Sequence, residues 1–407
     1  MNNIDNRPHA LALSCPPIPV VRIGLVGLGR RGMKTLERYA CIRGAEIRML
    51  ADVNEEKLSA ANEALIRSGR PIARCCVGSD AWRQICTAPD IDLLYICTDW
   101  STHCEMAIEA LNNGKHVAVE VPAATTIEEC HRLVETAERT QRHLFMTENC
   151  CYDQFSITTY NLLKEGRLGE ITHCEGAYIH NLMDYFGEAD EGKYGSYSWM
   201  THCCSLHEGN PYPTHGMGPI GWLLNLHRGD RMDYLVSMTS KTAMRGNTLC
   251  KVNNTLIRTV KGKSILLQLD VTTPRPYNRL QTVCGTHGFL QKYPITTLQI
   301  DGEEALQGEK AEQKAQKYFK GEAAQLWEEG HRAGVPNEMN YAMDSRLIHC
   351  LQQGLPLDID VYDAAEWSCI AELSELSARN GSQPVNIPDF TNGRWNVLPP
   401  HPFVRPE

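Results

Sequence analysis

Two groups of residues in this 407-residue chain have types and a spacing that suit ligand binding or catalysis. In the first group, Gly27, Gly29 and Gly32 form a Gly-x-Gly-x-x-Gly pattern between a short apolar run and a helical pattern. Such glycines allow a tight turn, let a pyrophosphate approach the backbone, and let a helix pack closely on a strand. Asp52 lies close to the expected distance of about 20 residues, where a carboxylate binds ribose hydroxyls. The group predicts a dinucleotide-binding site.

The carboxylate of Asp52 also bears on which dinucleotide binds. A negative charge at this position repels the 2′-phosphate of NADP, so the sequence favours NAD. Arg30 and Arg31, within the glycine pattern, would suit a 2′-phosphate and keep the alternative open.

The second group surrounds His215 in the segment YPTHG, where prolines and glycines favour a stiff, tightly turned presentation of Tyr212 and His215. Histidine moves protons near neutral pH, which makes His215 a candidate acid or base. Tyr178, in the segment GAYIH, is a second candidate. Spacing alone leaves open that His215 is a structural hydrogen bonder at a helix start and that the tyrosines pack in a core.

The elements that must position these residues differ between the two halves of the chain. Short apolar runs at 21–27, 46–50, 92–97, 116–120 and 143–147 alternate with helical patterns and predict the doubly wound parallel sheet of a Rossmann domain. Ligands of such sheets bind at the carboxyl ends of the strands. Residues predicted there, each of which could equally be a helix cap or a polar loop residue, are Asp99, Trp100, His103, Glu120, Val121 and Asn149.

Beyond residue 150 strands dominate, and the predicted class changes from α/β to α+β with a large, mostly antiparallel open sheet. Strands are predicted at 171–180, 234–240, 254–260, 264–272, 280–284 and 296–300, and helices at 154–165, 309–333, 337–353 and 362–380. Lys261-Gly262-Lys263 is a predicted hairpin turn, and 183–214 a long functional loop. We therefore expect a leader at 1–20, an NAD-binding domain at 21–150, and a substrate and oligomerisation domain at 151–407, whose C-terminal helices are candidates to pack back on the Rossmann domain.

Composition narrows the classes of partner. The net charge of −9, from 40 basic and 49 acidic residues, disfavours a nucleic-acid groove or an anionic membrane surface. We find no apolar run of about 18 residues and no cationic start typical of a secretory signal, so no membrane association is expected. The 17 cysteines include adjacent pairs and are odd in number, which favours free thiols and a cytoplasmic protein.

Several stretches together resemble the Gfo/Idh/MocA oxidoreductase superfamily and, within it, glycoside hydrolase family 109, the NAD-dependent α-N-acetylgalactosaminidases. They are GLVGLGRRG, ADVN, DWSTH, VEVPAA, TENCCYD, GAYIHNL, YPTHGMGPIGWLLNLHRGDRMDYLVSM and TTPRPYNR. Sugar dehydrogenases of the superfamily have Glu-Lys-Pro, with a catalytic lysine, where this chain has Glu120-Val121-Pro122. The resemblance therefore points to the glycosidase branch, in which other residues must handle protons.

The resemblance implies a cycle in which NAD⁺ oxidises the sugar C3 hydroxyl, a base removes the C2 proton, the C1 leaving group is eliminated, water adds, and the hydride returns. It implies NAD contacts by Arg30, Arg31, Asp52, Trp100, His103, Glu120, Val121, Asn149 and Tyr212. It implies contacts to a small glycoside or sugar by Tyr178, Tyr212, Pro213, Thr214, His215 and Tyr277. We assign His215 to the C3 hydroxyl and Tyr178 to the C2 proton, with the opposite assignment still open.

Two departures from the family pattern bear on the substrate. The family's Trp-Arg, whose arginine contacts the sugar, is replaced by Trp199-Met200, and the stretch between Met238 and Asn253 is shorter than the family's insertion. Met200 is therefore a predicted specificity residue, and a substrate with another sugar or another substituent than the family's is an open alternative. The missing secretion signal favours small imported glycosides.

Two other functions are compatible with the same residues. A net sugar or polyol dehydrogenase would keep the same Rossmann half, and a non-catalytic dinucleotide-binding protein would lack turnover. Metal binding by the group His202, Cys203, Cys204 and His207 is disfavoured, because adjacent cysteines are poor partners for tetrahedral zinc, and no metal is expected. By analogy with the superfamily, we expect a homodimer or homotetramer.

Overall fold

The computed structural model describes residues 8–182, 198–241 and 251–405, which divide into two compact units. The first unit comprises the described parts of Met1–Ala124, together with Glu128–Thr147 and Leu326–Ala365. The second comprises Thr125–Ile127, Glu148–Gln325 and Glu366–Glu407, again in their described parts. The chain thus leaves the first unit close to the predicted boundary at residue 150 and later returns to it.

A six-stranded parallel sheet forms the centre of the first unit. Its strands, in the order β3-β2-β1-β4-β5-β6, are β1 Val21–Val26, β2 Ala45–Asp52, β3 Arg74–Val77, β4 Leu93–Ile96, β5 His116–Val119 and β6 Leu144–Met146. Strands β4 and β5 are buried along their whole length, as expected for a sheet covered on both faces. The order is that of a classic dinucleotide-binding fold, so the predicted Rossmann sheet is confirmed. Strand β3 is short and was not predicted.

Helices follow the strands of this sheet, with bounds α1 Arg30–Tyr39, α2 Glu55–Arg67, α3 Trp82–Thr87, α4 Trp100–Asn112 and α5 Ile127–Thr140. Local chemistry fixes where two of them begin. Asn54 accepts hydrogen bonds from the N–H groups of Glu56 and Lys57 and thereby caps α2. Asp99 accepts from the Ser101 N–H and caps α4.

A buried ion pair connects the segment Leu326–Ala365 of the first unit to helix α1. Arg38 of α1 donates to Asp344 at 2.8 Å, and both side chains are completely buried. Tyr95 donates to the other oxygen of Asp344 at 3.3 Å. The N-terminal segment also packs here, because Ala10 is buried and its N–H donates to the hydroxyl of Tyr362 at 3.0 Å.

A nine-stranded sheet forms the centre of the second unit. Its order is β14-β13-β12-β11-β7-β10-β9-β8-β15, and β7 with β10 is its parallel pair. The bounds are β7 Ile171–Ile179, β8 Met232–Lys241, β9 Lys251–Thr259, β10 Ser264–Asp270, β11 Asn278–Gly285, β12 Gly288–Gln291, β13 Thr297–Ile300, β14 Leu306–Gln307 and β15 Val385–Asn386. The predicted, mostly antiparallel sheet is confirmed, and Gly262 (φ +86°) occupies the predicted hairpin turn between β9 and β10.

Eight α-helices follow β6 in the described residues, beginning with α6 Gln154–Lys164. The other seven are α7 Trp199–Leu206, α8 Thr214–Leu223, α9 Glu309–Gln316, α10 Glu322–Arg332, α11 Glu338–Gln353, α12 Val361–Ser368 and α13 Ile370–Arg379. The helices predicted at 309–333 and 362–380 are each divided in two. Residues 183–197 of the predicted loop lie outside the described part, and its later portion contains α7. No helix in the described ranges combines the length and apolarity needed to cross a membrane.

Helix α8 packs unusually closely on strand β7 through two glycines. A Cβ atom on Gly176 would lie 2.5 Å from the carbonyl oxygen of Gly216, and one on Gly216 would lie 3.0 Å from the backbone nitrogen of Ala177. Because neither glycine has a side chain, backbone meets backbone at this point. The contact brings the start of α8 against the middle of β7.

Candidate functional site

The glycine turn of the first unit has the shape needed for a pyrophosphate. Gly27 has φ +87°, and a Cβ atom on it would lie 2.6 Å from the carbonyl oxygen of Cys97. A Cβ on Gly32 would lie 1.9 Å from the carbonyl oxygen of Gly27, whereas the position of a Cβ on Gly29 has nothing within 4 Å. Gly29 precedes α1 without a side-chain cap, and the N-terminal end of a helix favours an anion. These features fit a bound dinucleotide.

Asp52 is fixed beside this turn. One carboxylate oxygen accepts from the Leu28 N–H at 2.6 Å, and the other accepts from the Asn54 N–H at 2.9 Å. The side chain thus joins the end of β2 to the glycine turn, with lone pairs left for ribose hydroxyls. This is the placement predicted for the carboxylate that favours NAD.

The two arginines of the turn have different surroundings. Arg31 donates to Glu120 at 2.7 Å and to Asn340 at 3.3 Å, so it is occupied by an ion pair within the first unit. Arg30 is exposed at the first position of α1. Pairing of Arg31 with Glu120 weakens the case for a 2′-phosphate partner at Arg31, which again favours NAD.

The residues predicted after β4 and β5 lie close to the strand ends. Trp100 and Val121 are buried, and Asp99 serves as the cap of α4. His103 is completely buried, with its ring nitrogens 2.8 Å from the Pro122 carbonyl and 3.1 Å from the Thr98 carbonyl. Burial lowers the pKa of His103, and the neutral ring donates to one of these two carbonyls; its direct contact with NAD stays a prediction.

The second unit brings three of the predicted substrate residues together. The ring centroids of Tyr178 and Tyr212 are 4.8 Å apart, those of Tyr212 and His215 are 4.8 Å apart, and those of Tyr178 and His215 are 5.4 Å apart. Tyr178 comes from β7 and His215 from the start of α8, the two elements joined by the glycine contact. We call Tyr178, Tyr212 and His215 the aromatic triad.

A buried carboxylate orients the histidine of the aromatic triad. Nδ1 of His215 lies 2.8 Å from Oε1 of Glu148, and its Nε2 lies 2.9 Å from the Tyr212 hydroxyl. Burial acts to raise the pKa of Glu148, but His215, the Cys150 N–H and Arg279 together bring it below the usual value. With Glu148 ionised, Nδ1 of His215 carries a proton and Nε2 can accept one from Tyr212. The arrangement can move a proton toward or away from a bound hydroxyl.

Arg279 contacts Tyr178, Tyr277 and Cys150. Its Nε donates to the Tyr277 hydroxyl at 2.5 Å, its Nη1 donates to Cys150 Sγ at 3.2 Å, and its Cζ is 4.8 Å from the centre of the Tyr178 ring. Tyr277, another predicted substrate residue, is 45% exposed. Burial raises the pKa of the Cys150 thiol, which is therefore neutral. The arginine thus connects Tyr277 to the aromatic triad.

The remaining predicted residues of the second unit are placed as follows. Pro213 and Thr214 are buried at the start of α8, and Asn149 is buried in the short 3-10 helix Asn149–Tyr152. Met200 is partly exposed on α7. Thr214 Oγ1 is buried and has no hydrogen-bond partner among the described residues, so a hydroxyl of a ligand would satisfy it.

Sequence reasoning missed Glu148, Cys150 and Arg279. Glu148 directly precedes the predicted contact Asn149 at the end of an apolar strand, so the rule for strand ends could have found it. Arg279 follows Tyr277 by two positions inside the stretch TTPRPYNR, but nothing in that spacing shows that its guanidinium reaches Tyr178.

Three side chains in this cluster have the types that bind metals. Ligand atoms of Glu148, Cys150 and His215 lie within 4.8 Å of one another. Arg279 donates to the same sulfur atom, and its fixed positive charge disfavours a second cation at that position. Hydrogen bonding between Glu148 and His215 accounts for the cluster without a metal.

Family models match nearly the whole chain. Residues 21–148 match the model described as "Oxidoreductase family, NAD-binding Rossmann fold". Residues 152–251 and 247–397 match "Glycosyl hydrolase 109, C-terminal domain". The chain therefore contains an NAD-binding Rossmann domain, and NAD is its cofactor, as predicted.

Curated relatives extend over the same length. A protein of Phocaeicola vulgatus named "Glycosyl hydrolase family 109 protein 2" is 53% identical, covering 96% of this chain and 99% of its own. A protein of Bacteroides fragilis named "Alpha-N-acetylgalactosaminidase" is 52% identical, covering 96% of each chain. Identity at this level along almost the whole chain shows that the protein belongs to this family and is an enzyme.

Solved structures agree in fold. A levoglucosan dehydrogenase in complex with NADH and levoglucosan has a TM-score of 0.70 at 17% identity, covering 91% of this chain and 100% of its own. An inositol dehydrogenase homologue from Azotobacter vinelandii, complexed with NAD⁺, has a TM-score of 0.66 at 20% identity, covering 92% and 99%. Sequence, family models and fold lead to one assignment: the chain is an enzyme that belongs to glycosyl hydrolase family 109, built on the Gfo/Idh/MocA oxidoreductase architecture.

Proposed function

We propose that this enzyme cleaves small glycosides, N-acetylgalactosaminides or close relatives, through transient oxidation at the sugar C3. The observation that carries the proposal is the hydrogen-bonded series Glu148–His215–Tyr212, with Tyr178 packed against it. When bound, NAD⁺ supplies reversible hydride acceptance at C3, and the resulting ketone acidifies the C2 proton. All other roles fall to side chains of this chain.

His215 is placed to handle the proton of the C3 hydroxyl. Because Glu148 holds the proton on Nδ1, Nε2 is the basic nitrogen, and it accepts from the sugar hydroxyl directly or through the Tyr212 hydroxyl. Burial of Glu148 keeps water from competing for this carboxylate. Loss of the proton from the hydroxyl oxygen favours formation of the ketone, and the same nitrogen returns the proton when the alcohol is restored.

Tyr178 is assigned to the C2 proton. In its ionised form its oxygen takes that proton, the freed electron pair forms the C1–C2 double bond, and the C1–oxygen bond breaks to release the leaving group, which takes up a proton that the incoming water later replaces. Water then adds its oxygen to C1, while Tyr178 returns a proton to C2. This route requires no pair of carboxylates on either side of the glycosidic bond, unlike ordinary glycosidases. Exchange of the roles of Tyr178 and His215 remains an alternative.

An assay of cleavage and cofactor turnover tests the proposal. Purified enzyme incubated with chromogenic α- and β-glycosides should release the chromophore without net accumulation of NADH. Stoichiometric NADH would instead establish a sugar or polyol dehydrogenase. If neither chromophore nor NADH formed, the protein would be a non-catalytic dinucleotide-binding protein. His215→Ala should abolish turnover and retain bound NAD, whereas His173→Ala, at a histidine that hydrogen-bonds Ser264, should leave turnover unchanged.

Met200 is proposed to set substrate preference. A methionine offers neither the charge nor the five donors of the arginine that the family pattern has here. Met200→Arg should therefore raise kcat/KM for N-acetylgalactosaminides relative to other glycosides, with Gln313→Arg, at an exposed position of α9, as a control for added charge. An unchanged ratio of kcat/KM values across a panel of sugars would remove Met200 from the determinants of specificity.

The proposal includes assembly and location. Met238 and Leu256 are 64% and 55% exposed on adjacent strands β8 and β9, which supports a homodimer or homotetramer formed through the open sheet. Leu256→Glu should lower the mass measured by light scattering after size exclusion, and a monomeric wild-type protein would contradict the assembly.

Sixteen described cysteines are free, which supports a location in the reducing cytoplasm. Fractionation of the cells tests this location.

A further inference from the structure

Arg279 lies over the face of Tyr178, the residue proposed to transfer the C2 proton. The distance from its Cζ to the ring centre is 4.8 Å, within the range of a cation–π contact. A second aromatic ring, that of Tyr277, lies 5.5 Å from the same atom. The hydrogen bonds of the guanidinium go to neutral groups, the Tyr277 hydroxyl and the Cys150 thiol. Neither of these hydrogen bonds goes to a carboxylate, and the charge of Arg279 acts on the two rings as well as on Glu148, whose pKa it helps to lower.

The backbone that holds Arg279 is costly to form. Leu280 and Gln281 have φ values of +57° and +51°, a region that residues with a side chain rarely adopt. The pairing of β11 with β7 shifts register on both sides of Leu280, directly after Arg279. Leu280 N–H donates to Asn278 Oδ1 at 2.6 Å, and Lys292 N–H donates to the Gln281 carbonyl at 3.1 Å, which fixes this irregular turn. Strain of this kind persists where surrounding contacts over-determine it, often at functional sites.

Apart from Arg279, the described groups that face Tyr178 include no permanently charged side chain. Nδ1 of His180, directly after the end of β7, lies 3.3 Å from the Tyr178 hydroxyl. The described groups that face it from other elements are Cys150, Tyr212, His215, Tyr277 and, on α7, Cys204. Arg279 is the permanently charged member of this set, because guanidinium does not lose its proton in proteins. It therefore controls how readily negative charge forms on the Tyr178 oxygen.

We infer that Arg279 is a positioning residue that acts through Tyr178: it stabilises the ionised hydroxyl and thereby lets Tyr178 accept the C2 proton. The catalytic half of this inference rests on the proposed function, whereas the effect on Tyr178 does not. Burial raises the pKa of Tyr178 to about 12, and Arg279 acts in the opposite direction. Without the cation, a buried phenol would be a still poorer partner for proton exchange.

The effect on Tyr178 can be measured without substrate or turnover. The full-length protein is prepared with 3,5-difluorotyrosine at position 178, whose more acidic phenol titrates in an accessible range, and the ionisation is followed by ¹⁹F NMR. Arg279→Gln should raise the midpoint by about one pH unit, and Arg279→Lys by less, as expected for the loss or weakening of a partly desolvated cation–π contact. Arg275→Met removes an equal charge from the preceding segment, where Arg275 contacts Gln268 and Asp270, and should leave the midpoint unchanged. An unmoved midpoint in both Arg279 variants, or an equal shift in Arg275→Met, would overturn the inference.

A kinetic experiment tests the catalytic half. In ordinary protein, Arg279→Gln should lower kcat more than it alters KM and should increase the isotope effect of a C2-deuterated substrate, because C2 proton transfer becomes slower. The difluorotyrosine at 178 should partly restore kcat in Arg279→Gln, since its phenol ionises more easily. A merely structural role predicts no rescue. If the NMR midpoint moves but the wild type cleaves no glycoside, the proposed function fails and the effect of Arg279 on Tyr178 stands.

Discussion

At the scale of single residues, the contact between Glu148 and His215 decides which nitrogen of the histidine is basic. Glu148 is completely buried and lies 2.8 Å from Nδ1 of His215. A neutral imidazole has one donor nitrogen and one acceptor nitrogen, so a carboxylate at Nδ1 leaves Nε2 free to accept. The carboxylate also stabilises the imidazolium that forms when His215 takes a proton. A change at Glu148 should therefore affect proton transfer more than binding.

Glu148→Gln should lower kcat by roughly 10²- to 10⁴-fold, because an amide neither fixes the tautomer nor stabilises the imidazolium. Bound NAD, measured by absorbance after denaturation, should remain, and KM should change little. Glu165→Gln, at the exposed end of α6, is the matched control and should retain full activity. A kcat within threefold of wild type for Glu148→Gln would show that the tautomer of His215 does not limit the reaction.

Residue types and spacing predicted much of this cluster. The candidates Tyr178, Tyr212 and His215 lie together in the structure, and their catalytic roles are predictions. Glu148 and Arg279 reach the same cluster from separate elements, so their participation depends on tertiary packing rather than on local pattern. A single sequence contains no signal for the left-handed conformations of Leu280 and Gln281 that place Arg279.

At the scale of elements, the contact between Gly176 and Gly216 sets the distance between β7 and α8. A methyl group at position 176 would lie 2.5 Å from a carbonyl oxygen, which is closer than real contacts allow. Either the strand or the helix must then move, and Tyr178 and His215 lie on those two elements. Small displacements of reacting groups have large effects on rate.

Gly176→Ala should lower kcat/KM by about 10²-fold and destabilise the fold by about 1–3 kcal/mol, as expected for overpacking against backbone. Steady-state kinetics and thermal unfolding measure the two effects. Ser264→Thr adds a methyl group at an exposed position of the neighbouring strand β10 and should alter neither. Unchanged kinetics in Gly176→Ala would mean that the site tolerates the shift.

Element prediction succeeded where the pattern was local and failed where a distant residue intervened. The helix predicted at 309–333 is interrupted after α9, where Asn161 donates to the carbonyl oxygens of Tyr318 and Lys320. That hydrogen bonding comes from α6, which sequence periodicity near residue 320 does not reveal. Strands β14 and β15 were missed because two residues are too few for an alternating pattern.

At the scale of the whole molecule, the completely buried pair Arg38–Asp344 joins α1 to a helix far along the chain. Removing one member of a buried pair leaves an unpaired charge and is strongly destabilising. Replacing both members with apolar residues removes that charge. The contribution of the pair can thus be separated from that of the surrounding packing.

Asp344→Ala should lower the free energy of unfolding by about 3–5 kcal/mol, as measured by chemical denaturation. The double variant Arg38→Met/Asp344→Leu should recover most of that loss. Asp389→Ala, in the second unit, removes a carboxylate whose partners are local and should cost less. Equal stability of Asp344→Ala and wild type would show that Arg38 finds another counter-charge.

Two buried histidines should make stability depend on pH. The rings of His116 and His143 lie 5.0 Å apart, and burial lowers the pKa of His116 to about 3 and that of His143 to about 4. In the unfolded chain both titrate near 6.5, so between those values the unfolded state binds more protons. Stability should be fully present above pH 6.5 and decline as the pH falls, by about 2 kcal/mol per histidine at pH 5.

Denaturation curves between pH 7 and pH 5 measure this decline. The variant His116→Asn/His143→Gln lacks the titrating rings and should show a shallower dependence of unfolding free energy on pH. His331→Gln, at an exposed histidine of α10, serves as the control and should keep the wild-type slope. Identical slopes in all three proteins would contradict the assignment.

The pair between Arg38 and Asp344 has a consequence for how the protein is made. The two residues are separated by 306 positions. At a synthesis rate of about 5–20 residues per second, Arg38 leaves the ribosome roughly 15–60 s before its counter-charge exists. Until then the side chain of Arg38 lacks the carboxylate that pairs with it in the folded unit. Completion of the nucleotide-binding unit is thus a late event in synthesis, set by arrival of the segment Leu326–Ala365.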